Sequence, residues 1–148
     1  MSDLYDDDIL LWSERQADLL RRHAGTARVN DAIDWPNVIE EIEDVGRSEL
    51  HSVESLLVQA MRHMLKAQAW PLSRDAPNWR ADAVDFRQQA ARRFSPSMRQ
   101  RIDIPGLYRQ ALRALPETQD GQPALPAPGE CRVTLDELLA EGPLSFTA

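Results

Sequence analysis

Glu49, His63 and Arg87 place a carboxylate, an imidazole and a guanidinium on helix faces whose other members are apolar. Such a trio could move a proton and hold an anion, the equipment of a general acid–base site. On a helical wheel centred on Ile42, Glu49 lies about 20° from the middle of the apolar stripe and His63 about 60° away, at its edge. On a wheel centred on Ala83, Arg87 lies about 40° away, between Phe86 and Ala90. Arg80 lies about 60° away, two turns earlier. A carboxylate facing a core needs a partner, because desolvating it alone is expensive, and a guanidinium can take it with two parallel bonds. The geometry therefore predicts a buried or half-buried Glu49–Arg87 contact between two helices, which would set their register without doing chemistry. The alternative is a polar pocket shared by Glu49, His63 and Arg87. Distance counts against the pocket, since Glu49 and His63 stand about 21 Å apart along a straight helix.

Other chemistry-bearing groups carry less. Glu40, Glu41, Glu43 and Asp44 invite a metal reading, and Glu40 can share a face with either Glu43 or Asp44. A di-metal carboxylate bundle also wants Glu-x-x-His units on facing helices, and the chain has none, so no metal and no cofactor is expected. Placement over the first turns of a helix already accounts for these acids. His23 falls on an inner stripe and reads as a packed residue, whereas His51 reads as surface. Trp12, Trp35, Trp70 and Trp79 fall mostly near helix ends, where a ring with one polar atom covers a corner of the core. Trp70 and Trp79 bracket one loop and could also stack a ligand. The sequence contains no glycine-rich phosphate loop, paired-cysteine spacing or paired-histidine helix motif.

Charge is partitioned along the chain. Residues 1–54 carry a net −9, residues 55–113 a net +7 and the remainder −5, which makes the overall −7. The opposite segments can pack together and cancel, or the arginine-rich middle can form a basic face. With 43% hydrophobic residues the chain can bury a core, and no run is long and apolar enough to cross a bilayer. The start, Met1-Ser2-Asp3 followed by Asp6 to Asp8, lacks the basic and apolar run of a secretory leader. Cys131, the single cysteine, has no partner for an internal disulfide. A cytoplasmic setting is the expectation.

The elements that would position these groups are helices. Period-3.6 patterning predicts a first helix over Leu4–Ala24, with acids in its first turns, Arg21 and Arg22 in its last, and Gly25 after it. A second helix begins near Asp34 and Pro36 and runs to about Trp70, where Pro71 stops it. Gly46 falls on its apolar side, marking either a kink or a close crossing by another helix. A third helix is predicted from Asn78 to Phe94, with Trp79, Ala83, Phe86, Ala90 and Phe94 inward. Ser95-Pro96 then starts a short fourth segment, and another helix follows Pro105. The proline-rich stretch of about 116–130 reads as a tether along the surface. Thr134 and Glu137 form a capping box that opens a short closing helix of about 134–141. No segment alternates with period two for long, so no sheet is expected. The fold class is all-α: an irregular bundle of four to six helices with one long central helix, in a single domain over 1–148.

Several of these residues resemble the bacterial domain of unknown function twenty-nine family. They are Tyr5-Asp6-Asp7-Asp8 leading to Trp12, Asp34-Trp35, the block from Glu40 to Glu49, His63-Met64-Leu65-Lys66, Trp79-Arg80, Arg87, and the stretch from Cys131 to Leu139. The similarity covers about residues 4 to 140. Ala69-Trp70 departs from it, since the family often places its aromatic closer to Lys66. The resemblance implies a helical fold and a bacterial, often cyanobacterial or proteobacterial, origin. It brings no established activity, substrate, cofactor or partner. The family's recurring residues here include Glu43, Gly46, Glu49, His63, Lys66, Trp79 and Arg87.

Three functions compete. The first is a non-enzymatic helical protein that binds a macromolecular partner or itself, using surface on the long helix. The second is a small-ligand or enzymatic pocket around Glu49, His63 and Arg87. The third is nucleic-acid binding through Arg80, Arg87, Arg92, Arg93, Arg99 and Arg101. Overall acidity and the use of Arg87 in an ion pair both oppose the third. No membrane association is expected.

Overall fold

A computed structural model describes residues 3–26 and 29–146, so Met1-Ser2, part of the start weighed for a leader, lies outside the described residues. Its elements are α1 (Leu4–Asp7), α2 (Ile9–Ala24), α3 (Trp35–Ala69), α4 (Ala76–Arg93), a 3-10 helix (Pro96–Gln100), α5 (Ile104–Arg113), β1 (Thr118–Gln119), β2 (Gln122–Pro123) and α6 (Leu135–Leu139). The architecture is all-α, with the long helix α3 at its centre. The described residues gather into two compact units, 1–52 with 94–101 and 53–93 with 102–148, and α3 contributes its first half to one and its second half to the other.

In the first unit the helix predicted over Leu4–Ala24 is broken at Asp8. That residue leaves the helical region (φ −153°, ψ 86°), and its carboxylate caps α2 by accepting from the amide of Leu11. Capping satisfies an orphan amide that a continuous helix would not offer, and the broken turn lets α1 fold back on α2. Leu10, Ser13 and Ala17 form the buried stripe of α2, whereas His23, expected inside, is exposed, as is Leu19. Gly46 is a close crossing point. A Cβ there would fall on Ser13 Oγ and come within 3.0 Å of Leu10 Cα, so only hydrogen lets α2 and α3 approach this closely. Met98, from the 3-10 helix, is fully buried in this unit's core.

In the second unit α3 buries Val53, Leu57, Ala60, Met61, Met64 and Leu65, at the spacing expected of one helix face. α4 starts at Ala76, two residues before the predicted cap, because Pro77 fits within a first helical turn, where a missing amide proton is not needed. Its buried residues are Ala76, Trp79, Ala83, Arg87 and Ala90, a narrow stripe in which alanines surround one large ring and one long cation. Trp70 and Trp79 pack with Ala67, Ala69 and Ala76, and the Lys66 ammonium sits 4.4 Å from the Trp79 ring centre. The stretch 116–130 is more structured than a plain tether. Asp120 and Gly121 both adopt positive φ (53° and 77°), the signature of a type I′ turn, and join β1 to β2 in a two-residue antiparallel hairpin. Tyr108 donates to the carbonyl of Pro128 at 2.5 Å and packs at a tilt against the Phe146 ring, pinning the end of this stretch to α5. Thr134 and Glu137 form the expected capping box of α6.

Candidate functional site

The three residues singled out by the sequence have different surroundings. Glu49 is half-buried on the part of α3 that belongs to the first unit. His63 and Arg87 belong to the second. His63 is half-buried, with Nδ1 bonded to the carbonyl of Gln59 at 2.8 Å and its ring 5.3 Å from that of Phe86. Its Nε2 lies 3.9 Å from Asp82 Oδ2, at the outer limit of an ion pair. A carbonyl can only accept, so Nδ1 is the donor in this bond.

Arg87 has carbonyl partners where a carboxylate was expected. It is only 7% exposed, and its guanidinium donates to four carbonyls at the end of α6 and just beyond. Nε donates to Leu138 at 3.0 Å, Nη1 to Gly142 at 2.7 Å, and Nη2 to Glu137 at 3.0 Å and Ala140 at 2.5 Å. Glu137 and Leu138 supply orphan carbonyls of the helix C-terminus, where partial negative charge accumulates, and Ala140 and Gly142 add those of the cap and the loop beyond, so a cation from α4 closes α6. Burial pushes the guanidinium pKa below its ordinary value. Arg87 thus clamps the C-terminal segment onto α4. The sequence held half of this clue: the capping box announces α6, but nothing local says which cation meets its far end.

Beside the clamp lies an open groove of about 870 Å³ between α4 and the segment that follows α6. Arg87 reaches its floor; Val84, Ala91, Leu139 and Leu144 supply apolar walls, and Arg80 and Arg92 line it as well. Glu141 is the acid among the lining residues, and neither His63 nor Glu49 lines the groove. Arg80 and Arg92 are exposed and form no ion pair among the described residues. The other arginines of the proposed basic stretch differ: Arg101 pairs with Glu14 at 2.5 Å, and Arg99 lies 5.5 Å from the Phe94 ring centre.

Three of the four acids weighed for a metal are engaged by arginines. Glu40 and Asp44 pair with Arg47 at 2.8 and 2.5 Å, and Glu43 pairs with Arg21 at 2.5 Å. No group of three metal-ligating side chains converges among the described residues. Cys131 donates to the carbonyl of Val133, and burial pushes its thiol pKa up, which disfavours the nucleophilic thiolate.

Sequence reasoning missed a second buried charge. Asp8, 4% exposed, accepts at 2.7 and 2.8 Å from the hydroxyl and amide of Ser97 as well as from Leu11. Burial alone would raise its pKa, but these hydrogen bonds outweigh it and hold the carboxyl below its usual value.

Comparison with known proteins agrees with this fold. The family model described as "Domain of unknown function DUF29" matches residues 4–142, and the chain belongs to that family. A solved structure from Rhodospirillum rubrum, described as an α-helical protein of unknown function, is 28% identical. It superposes with a TM-score of 0.79, covering 95% of this chain and 92% of that one. No curated protein matches. No helix among the described residues is long and apolar enough to cross a membrane.

Proposed function

We propose that this member of the family is a non-enzymatic cytoplasmic binding module whose α4 groove takes a segment of a partner protein that is acidic at its ends and apolar in its middle. The observation that carries this reading is the pairing of Arg80 and Arg92, both without an ion pair, with the apolar lining of Val84, Ala91, Leu139 and Leu144. Twelve residues of helix separate the two cations, about 18 Å, so the complementary acids of a bound segment would stand a similar distance apart. Complementary charge then supplies register and speeds encounter, while the apolar centre supplies most of the affinity. Arg87 serves as the floor that keeps the far wall in place, its donors turned to carbonyls. This use of Arg87 favours binding over acid–base chemistry.

Selection from a displayed random-peptide library tests the reading. Peptides enriched on the full chain are expected to place Asp or Glu on both sides of Leu, Ile or Val. They should lose at least tenfold in affinity against the Arg80→Glu/Arg92→Glu double variant, whose exposed sites leave the melting temperature almost unchanged. Failure to enrich any such class, or enrichment indifferent to the double variant, overturns it. So does tighter binding of a single-stranded oligonucleotide than of any selected peptide.

A further inference from the structure

A second hollow of about 500 Å³ lies on the second unit, away from the α4 groove's lining residues. One wall is the turn after α3, Trp70 to Arg74, and the other is the β1–β2 hairpin with Leu125. Two hydrogen bonds hold the walls together: the Trp70 indole Nε1 donates to the carbonyl of Gln122 at 2.9 Å, and the backbone amide of Leu125 donates to the carbonyl of Ala69 at 3.0 Å. Two features on this framed surface lack intramolecular use. Leu72 is 98% exposed at the rim, as open as a leucine can be, and Leu125 is 54% exposed beside it. Arg74 and Asp120, of opposite sign, stand on opposite walls, and neither makes an ion pair among the described residues.

We infer that this surface is the contact between two copies of the chain, related by a two-fold axis through the hollow. A two-fold contact presents the same patch from both sides, so every projection must have its recess, and every charge its opposite, within one patch. This patch meets that requirement. Leu72 of each copy enters the other's hollow against Trp70 and Leu125, and Arg74 of each copy faces Asp120 of the other. A foreign partner would need only one knob, one recess or one charge; the presence of all four on one surface is what points to self-association. The type I′ turn contributes by holding Asp120 at the lip, since its positive φ fixes the turn's direction.

Sedimentation velocity of the full chain across a wide concentration range tests the inference. A reversible monomer–dimer equilibrium is expected. Leu72→Asp should weaken it by roughly 30-fold or more, the scale of losing a central anchor. Arg74→Glu, which sets acid against acid in both halves of the contact, should weaken it by about tenfold or more. Both side chains are exposed, so circular dichroism and melting of the variants should match those of the parent. A chain that stays monomeric at every concentration overturns the inference, and so does a dimer that neither substitution weakens. Peptide binding at the α4 groove is read separately and does not depend on this outcome.

Discussion

Asp8 and Arg87 solve the same problem with opposite charges, one in each compact unit. Asp8 is an anion at the N-terminus of α2, where unpaired amides give partial positive charge. Arg87 is a cation at the C-terminus of α6, where unpaired carbonyls give partial negative charge. Each reaches across a long sequence separation, Asp8 to Ser97 and Arg87 to Gly142. Neither uses an ionised partner. A buried charge need not seek its opposite when a helix end offers several aligned dipoles, and such charges clip remote segments of chain onto a helix. The two clips differ in number of bonds and in what else can satisfy the partners. Arg87 makes four bonds to carbonyls at and just beyond a helix end, whereas Asp8 makes three to donors, one of them a hydroxyl that can turn to water.

That difference orders the expected effects. Arg87→Met keeps bulk but removes every donor. It should cost roughly 3 kcal/mol and lower the melting temperature by roughly 10 °C, with amide exchange accelerating most in the segment after α6. Arg87→Lys should recover only part of this, because an ammonium cannot reproduce the planar fork. Equal losses for the two variants would show that charge alone, without geometry, closes α6. Asp8→Ala should cost less, about 2 kcal/mol from the lost cap and the two bonds to Ser97, with faster exchange at the amides of Leu11 and Ser97. A larger loss here than at Arg87 would reverse the ranking and make the first clip the dominant one.

Acid titration gives the smallest and most specific test. The folded carboxyl of Asp8 is held below its ordinary value, so the unfolded chain binds its proton first as pH falls. The stability it contributes is present above the ordinary carboxylate pKa and lost as pH drops through the depressed folded value, below about pH 4. Asp8→Asn preserves capping but cannot titrate. Chemical-denaturation curves for this variant should therefore converge on those of the parent as the medium is acidified. A constant gap between the two across that range would mean that the carboxylate's charge contributes nothing beyond its shape.

The legible and illegible parts of the chain separate cleanly by range. Trp35–Ala69 was predicted nearly to its ends, because Asp34, Pro36, the apolar stripe and Pro71 are all local signals. The capping box of α6 was legible for the same reason. Gly46 was marked as a possible crossing, yet only the structure names Leu10 and Ser13 as what crosses there. The Asp120-Gly121 hairpin was within reach, since that dipeptide favours a type I′ turn, but the surrounding prolines masked it. For the candidate site, helical phase brought Arg87 to the inside, while the carbonyls it bonds lie some fifty residues on and give no local signal.

The sequence by itself therefore determined which segments become helices, where most of them stop and that Arg87 faces inward, because those properties depend on residues three or four apart and on caps at adjacent positions. Tertiary structure alone decided what the inward charges touch, how Arg80 and Arg92 come to flank an apolar groove, and how the turn at Leu72 meets the hairpin. Each of those depends on packing between segments tens of residues apart, where many partners of similar chemistry compete and only the assembled core selects among them.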